Sequence, residues 1–332
     1  MKKFEGMNVL ITGGSRGIGL STAQLFAMHG AKVLSISRTI SASNTFLKCG
    51  LLDELMTENS THIIEKDIEM CVKKEFLSTD KTLNSCENKI LNKTSDQFLD
   101  EDKSNETINR IFSSEYSNLE FLNLDARYQD SWKRIMNHIK NFYSNKLNIL
   151  VNNAGIHGFD LGEQNPEYML EETFDTVISN NLKSVFWGCK TAISFMKNNG
   201  GVIINVGSRS GLSGSPNIAA YGISKAGIDN YSKSVALYCA SKNYNIRCVC
   251  IAPALIDTEM LDPIVGSKNN PTRNEKLNDL INTIPLKKIG KTTDVANLIC
   301  FLASKEAEYI TGTTITIDGG IMAGTVNSPK KA

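Results

Sequence analysis

Four glycines crowd the point where an apolar run gives way to an amphipathic stretch, and this junction constrains the fold more than any other segment. The run is Met7-Asn-Val-Leu-Ile-Thr12, the junction Gly13-Gly-Ser15-Arg16-Gly17-Ile18-Gly19, and the stretch continues to His29. Glycines placed between a strand and a helix let the backbone turn tightly and approach a phosphate closely. The phosphate would rest on the free N–H groups and the positive end of the helix dipole. Gly30 suits a helix C-cap, and Lys32-Val-Leu-Ser-Ile-Ser37 reads as the next strand. Strand, turn, helix, strand in that order predicts a parallel sheet with a right-handed crossover.

The alternation resumes further along. Strands are predicted at Leu119–Leu124, Asn148–Val151, Val202–Val206, Ile246–Ile251 and Thr314–Ile317. Helices are predicted at Asp130–Tyr143, Thr173–Lys197, through Tyr221 to Ala240, and near Asp294–Ala303. The expected fold is therefore α/β, a doubly wound parallel seven-stranded sheet in a single domain over residues 1–332. One segment breaks the rhythm. Between Arg38 and Asp125 the chain is far longer than a crossover of about 30 residues needs. Its residues 40–118 are rich in Ser, Thr, Asn, Lys, Asp and Glu, and read as a polar insertion, partly helical and partly mobile. A small regulatory or partner-binding subdomain is the alternative reading.

Composition removes several function classes. With 36 basic and 35 acidic residues the net charge is +1, which gives no electrostatic case for nucleic acid or an anionic membrane as partner. The eight cysteines form no CxxC, the four histidines are dispersed, and no metal site is expected. Cys248 and Cys250 alternate on a predicted buried strand, where free cysteine behaves as a small apolar residue. No stretch approaches a membrane span, and the first strand begins too early to leave room for a leader. A cytoplasmic location is expected.

Chemistry is concentrated in the second half. Tyr221 and Lys225 stand four apart and share one face of the predicted helix, following Ser208. A phenol is a poor acid–base at neutrality, its reference pKa being about 10, and bringing it to neutrality takes about 4 kcal/mol of phenolate stabilisation. A neighbouring ammonium is one source of that field. At the end of the second strand, Ser37-Arg38 offers no carboxylate for an adenosine ribose. Arg38 and Arg16 together would clamp a 2′-phosphate, so NADP(H) is favoured over NAD(H).

The ordered set of motifs resembles the short-chain dehydrogenase/reductase family over nearly all the chain outside the insertion. The carriers are the glycine turn, Asn152-Asn153-Ala-Gly155, Asn181-Leu-Lys-Ser, Ser208, and Tyr221-Gly-Ile-Ser-Lys225. The resemblance implies that Tyr221 moves the proton and that Lys225 lowers its pKa and binds the nicotinamide ribose. It implies that Ser208 orients the substrate oxygen and that Asn181 holds a relay water. Gly13, Ser15, Arg16, Gly17, Ile18, Gly19, Arg38, Asp125 (on the adenine amino group), Asn153, Ile256 and Thr258 would contact the cofactor.

Ile251-Ala-Pro-Ala254-Leu-Ile256-Asp-Thr258 is similar to the family's PG segment, with Ala254 where glycine is usual. The stretch Glu259–Ile284 is the expected substrate lid, mobile until substrate binds. The resemblance also implies a homotetramer acting on a small molecule. Among branches it is similar to 3-oxoacyl-carrier-protein reductases and to bacterial hydroxysteroid or cyclic-alcohol dehydrogenases. A secondary alcohol or ketone is the expected substrate, a carrier-protein thioester the alternative. A non-catalytic dinucleotide sensor or scaffold is the reading from another class.

Overall fold

The computed structural model describes residues 2–38, 116–267 and 269–324, all within the compact unit Met1–Thr39 plus Phe112–Ala332. Apart from residues 116–118, the insertion expected at 40–118 lies outside the described residues.

The strands in chain order are β1 (Asn8–Thr12), β2 (Lys32–Ser37), β3 (Leu119–Asn123), β4 (Ile149–Asn152), β5 (Gly201–Val206), β6 (Ile246–Pro253) and β7 (Thr314–Ile317). They form one seven-stranded sheet in the order β3-β2-β1-β4-β5-β6-β7, and every neighbouring pair is parallel. Strands covered on both faces carry near-continuous apolar runs, and β1, β4, β5 and β6 are buried along almost their whole length for that reason.

The principal helices are α1 (Gly17–Met28), α2 (Gln129–Phe142), α3 (Glu171–Ile178), α4 (Ser184–Met196), α5 (Ala219–Ser241), the short α6 (Asp262–Val265), α7 (Arg273–Thr283) and α8 (Thr292–Ala303). One core layer joins Trp132 and Ile135 of α2, Val185 and Ala192 of α4, and Ile228 and Val235 of α5 to Leu10, Leu150 and Ile203 of the sheet. Strand residues alternating with these, such as Val9 and Ile11, face the other side, and α1 packs there against α8.

Two boundaries differ from the sequence reading in ways that matter. β6 runs on to Pro253, because β7 pairs with it that far, Pro253 opposite Ile317. The helix expected over 173–197 begins at Glu171 and is interrupted by a π-helical turn, Ser179–Lys183, between α3 and α4.

Strand order reverses direction between β1 and β4. In open parallel sheets that reversal opens a crevice at the carboxyl ends of the strands, the place where ligands bind. No helix among the described residues is long and apolar enough to cross a membrane.

Candidate active site

The glycine turn closes the β1 side of that crevice. Gly13 has φ +70°, and a Cβ there would stand 2.8 Å from the Ala154 Cα. The approach is that close because the backbone N–H groups of Asn153 and Ala154 both donate to Thr12 Oγ1, at 3.0 Å each. Asn153 Nδ2 then donates to the carbonyls of Thr12 (3.1 Å) and Gly13 (3.0 Å). A Cβ on Gly19 would meet the Gly13 carbonyl oxygen at 2.2 Å, so only glycine fits. Ser15 N–H donates to Ser37 Oγ (3.2 Å), which ties the turn to the end of β2.

The first turn of α1, including Gly17, Ile18 and Gly19, has neither an acidic residue nor a side-chain cap. Its N–H groups have no intrahelical acceptor, and a dinucleotide pyrophosphate fits this cradle. The Asn153 amide N–H groups bond to the turn's own carbonyls and shape the cradle.

At the ends of β2 and β3, Arg38 is exposed. The carboxylate of Asp125, the residue expected at an adenine amino group, is gripped by Arg127. Arg127 Nε lies 3.0 Å from both oxygens and Nη2 2.6 Å from Oδ2. Burial pushes the Asp125 carboxyl up, but the hydrogen bonds from Arg127 and the charges of Arg127 and Arg38 hold it below its ordinary value. Arg16, expected to act with Arg38 on a 2′-phosphate, has a countercharge in Glu259, its Nη1 lying 3.3 Å from Oε2.

On the other side stand the catalytic candidates. Tyr221 and Lys225 lie one turn apart on α5 and are only 6% and 4% exposed. Lys225 Nζ donates to the carbonyl of Val206, the last residue of β5 (2.9 Å), and sits 5.6 Å from the centre of the Tyr221 ring. Burial lowers the Lys225 ammonium to about 8, against an upward pull from Cys250. Burial also raises the Tyr221 phenol, and a hydrogen bond with Ser208 draws it partway back. Desolvation is the largest influence on the phenol. Ser208 follows β5, and its Oγ accepts the Ser210 N–H at 3.2 Å.

Asn181 occupies the π turn, which swings its side chain inward. Its Oδ1 accepts the Ile156 N–H (2.8 Å), and its Nδ2 donates to the Ile156 carbonyl and to Ser224 Oγ (3.0 Å each). Asn181 thus braces the loop after β4 against α5, and a relay water would have to share Oδ1. A Cβ on Gly155 would lie 3.2 Å from that oxygen and 3.4 Å from Lys225 Nζ, so the three residues converge.

Sequence reasoning passed over three residues here. His157 packs its ring against Tyr221, with centroids 4.5 Å apart. Burial, with the Lys225 charge second, lowers its imidazole to about 4. Its Nδ1 is buried without a hydrogen-bond partner among the described residues. Gln164 bonds both to the His157 loop and to the start of α5, and Ser224 links Asn181 to α5. His157 lies three residues beyond Ala154 in the motif segment, and that nearness was the available signal.

After β6, Ile256 is buried and bridges to Gly290, and Thr258 faces the glycine turn, its methyl 3.5 Å from a Cβ built on Gly17. The expected lid, Glu259–Ile284, contains a short 3-10 turn, α6 and α7. Arg273 closes its loop on Asp262 Oδ1 (2.7 Å) and on the Gly266 carbonyl. α7 contributes no buried residue.

This constellation matches known proteins across the chain. Residues 98–322 match the family model described as enoyl-(acyl carrier protein) reductase, and residues 7–73 match the short chain dehydrogenase model. A 3-oxoacyl-[acyl-carrier-protein] reductase of Chlamydia trachomatis is 39% identical over 186 residues, 55% of this chain and 69% of that protein. An oxidoreductase of Thermotoga maritima is 30% identical over 96% of this chain and 99% of its own. An NADP-dependent (R)-specific alcohol dehydrogenase of Lentilactobacillus kefiri is 31% identical over 62% of this chain and 77% of its own. Two solved structures share the fold. Aldohexose dehydrogenase of Thermoplasma acidophilum has TM-score 0.68 and 24% identity, covering 99% of both chains. Levodione reductase has TM-score 0.69 and 23% identity, covering 97% of this chain and 100% of its own.

Proposed function

The chain belongs to the short-chain dehydrogenase/reductase family of oxidoreductases, and we propose that within it the protein interconverts a ketone and a secondary alcohol using NADP(H), with Tyr221 as the acid–base. The observation that carries this reading is the burial of Tyr221 and Lys225 together, beside Ser208, at the mouth of a cradle that only glycines can form.

A nicotinamide dinucleotide held in this cradle supplies hydride transfer. Ser208 orients the substrate oxygen beside the phenol, and Tyr221 gives its proton to that oxygen or takes it back. Lys225, fixed by the Val206 carbonyl, presents its ammonium to the ribose hydroxyls and stabilises the phenolate as it forms. Asn181 holds the loop after β4 in place and offers Oδ1 to a relay water. Arg38 and Arg16, with no carboxylate at the end of β2, favour a 2′-phosphate over a bare ribose. The NADP-dependent relative is consistent with that preference. Homotetrameric assembly and a cytoplasmic location belong to the same proposal. All five described cysteines are free and buried, which suits a reducing compartment.

A carrier-protein thioester is the second reading, favoured by the Chlamydia relative. Against it, Arg247 is not available to an acidic partner, because its guanidinium is spent on the carbonyls of Leu302, Ser304 and Ile310.

The test is a panel of ketones, cyclic alcohols and acetoacetyl-coenzyme A, run with NADPH, NADH and their oxidised forms. Turnover of ketones with NADPH preferred supports the proposal, and dominance of the thioester would favour the second reading. Cofactor binding without turnover of any member would leave a dinucleotide sensor.

A further inference from the structure

We propose that Gln164 is a positioning residue for Tyr221, one buried amide that locks the first turn of α5 to the loop carrying His157 and so fixes where the phenol stands. The inference rests on the reading of Tyr221 as the acid–base.

Gln164 lies between β4 and α3 and is 2% exposed. Its Nε2 donates to the His157 carbonyl at 2.7 Å, and its Oε1 accepts the Tyr221 backbone N–H at 3.1 Å. Its own carbonyl accepts the Ala219 N–H at 3.0 Å. Both of those N–H groups belong to the opening turn of α5, which has no intrahelical acceptor for them. Ile218, at the N-cap, supplies no side-chain bond. A glutamine distant in sequence therefore does the work of a cap.

The position matters because Tyr221 is itself in that opening turn, where a helix frays first. Lys225 is one turn deeper and separately held by Val206, so slack in the opening turn displaces the phenol relative to the ammonium. The same amide holds the His157 loop, whose ring lies 4.5 Å from that of Tyr221 at 56°, with Phe159 meeting the His157 ring edge-on at 5.3 Å. One side chain thereby fixes the backbone of Tyr221 and the ring that flanks its phenol. An apolar side chain would fill the same space without the cost of burying an amide. What the amide adds is direction.

The test uses the full chain, NADPH, and the ketone of the panel that turns over best. Gln164→Met keeps the length and removes both side-chain bonds. It should lower kcat by up to about 100-fold, the scale of a misplacement near 1 Å. NADPH affinity, read by fluorescence titration, should stay within about twofold, and the pH limb of kcat assigned to Tyr221 should move. Gln164→Glu keeps the acceptor for Tyr221 and loses the donor to His157, so it should show a smaller loss with the limb moved in the same sense. It serves as the test if Gln164→Met does not fold. A kcat within threefold of the parent, an unmoved limb, or a loss that instead follows weakened NADPH binding overturns the proposal. Tyr221→Phe separates the two readings. If that variant keeps turnover, the assignment of Tyr221 fails; if it is inactive while the Gln164 variants are unaffected, only the positioning role fails.

Discussion

In the proposed reaction the working atoms on the β1 side of the crevice are backbone N–H groups shaped by Gly13, Gly17 and Gly19, whereas on the β5 side they are the buried side chains of Tyr221 and Lys225. The first region works by leaving side chains out. Its glycines are required where a Cβ would strike Ala154 or the Gly13 carbonyl, and Thr12 and Asn153 supply the bonds that bring these atoms so close. The second works by taking titratable groups out of water, which pushes the Lys225 ammonium down and the Tyr221 phenol up. The two regions should therefore fail differently. Deleting a titratable side chain should disable the second, whereas adding a side chain to a glycine should disable the first.

The largest expected effect is that of Tyr221→Phe. Loss of a positioned acid–base costs about 10²- to 10⁴-fold in rate, and turnover of the best ketone should fall accordingly. NADPH affinity by fluorescence titration should remain within severalfold. An equal loss of binding and turnover would break the division between the regions. The converse experiment is Gly19→Ala. A Cβ 2.2 Å from the Gly13 oxygen and 2.5 Å from Asn153 Nδ2 must push the turn apart. Local backbone strain of about 1–3 kcal/mol corresponds to roughly 5- to 150-fold. NADPH should bind more weakly by that factor, while kcat at saturating cofactor stays within about threefold.

The same contrast explains what was legible beforehand. A glycine turn announces itself because few other residues tolerate its conformation, and the strands beside it are predominantly apolar. The seven-stranded parallel sheet, and Tyr221 with Lys225 on one helix face, were readable on that basis. Three features were not. The π turn at Ser179–Lys183 has the same apolar spacing as an ordinary helix, yet it turns the Asn181 amide onto Ile156. Arg127 grips Asp125 from only two residues away, but a sequence does not say which of several arginines a carboxylate will choose. Gln164 reaches α5 across 57 positions, and no local pattern encodes a contact of that separation.

His157 gives a smaller effect that sharpens the account of the second region. It is flanked by Tyr221 and Phe159, with the Lys225 charge acting on it. Its folded value near 4 lies below the ordinary imidazole value of about 6.5. Between those values the unfolded chain binds a proton that the folded chain refuses, so stability falls as pH drops through that window. The slope is at most about 1.4 kcal/mol per pH unit. The thermal midpoint of the parent should therefore fall more steeply from pH 6.5 to 4 than that of His157→Phe. Parallel curves would show that the imidazole is not kept neutral by burial.

The smallest effect is expected at the rim of the first region. Arg16 belongs to the glycine turn and Glu259 opens the segment after β6, and their 3.3 Å contact ties the two together. Arg16 is 65% exposed at its side chain, and such pairs contribute about 0–1 kcal/mol. Glu259→Gln should release Arg16 toward a 2′-phosphate at little cost to the fold. NADPH affinity should then rise by up to about fivefold, the equivalent of 1 kcal/mol, while NADH affinity stays constant, both read by fluorescence titration. A gain shared equally by NADH would mean that Glu259 opposes the common pyrophosphate and that Arg16 does not discriminate between cofactors. No gain for either would remove Arg16 from cofactor choice and leave Arg38 to make it, which confines that choice to the end of β2.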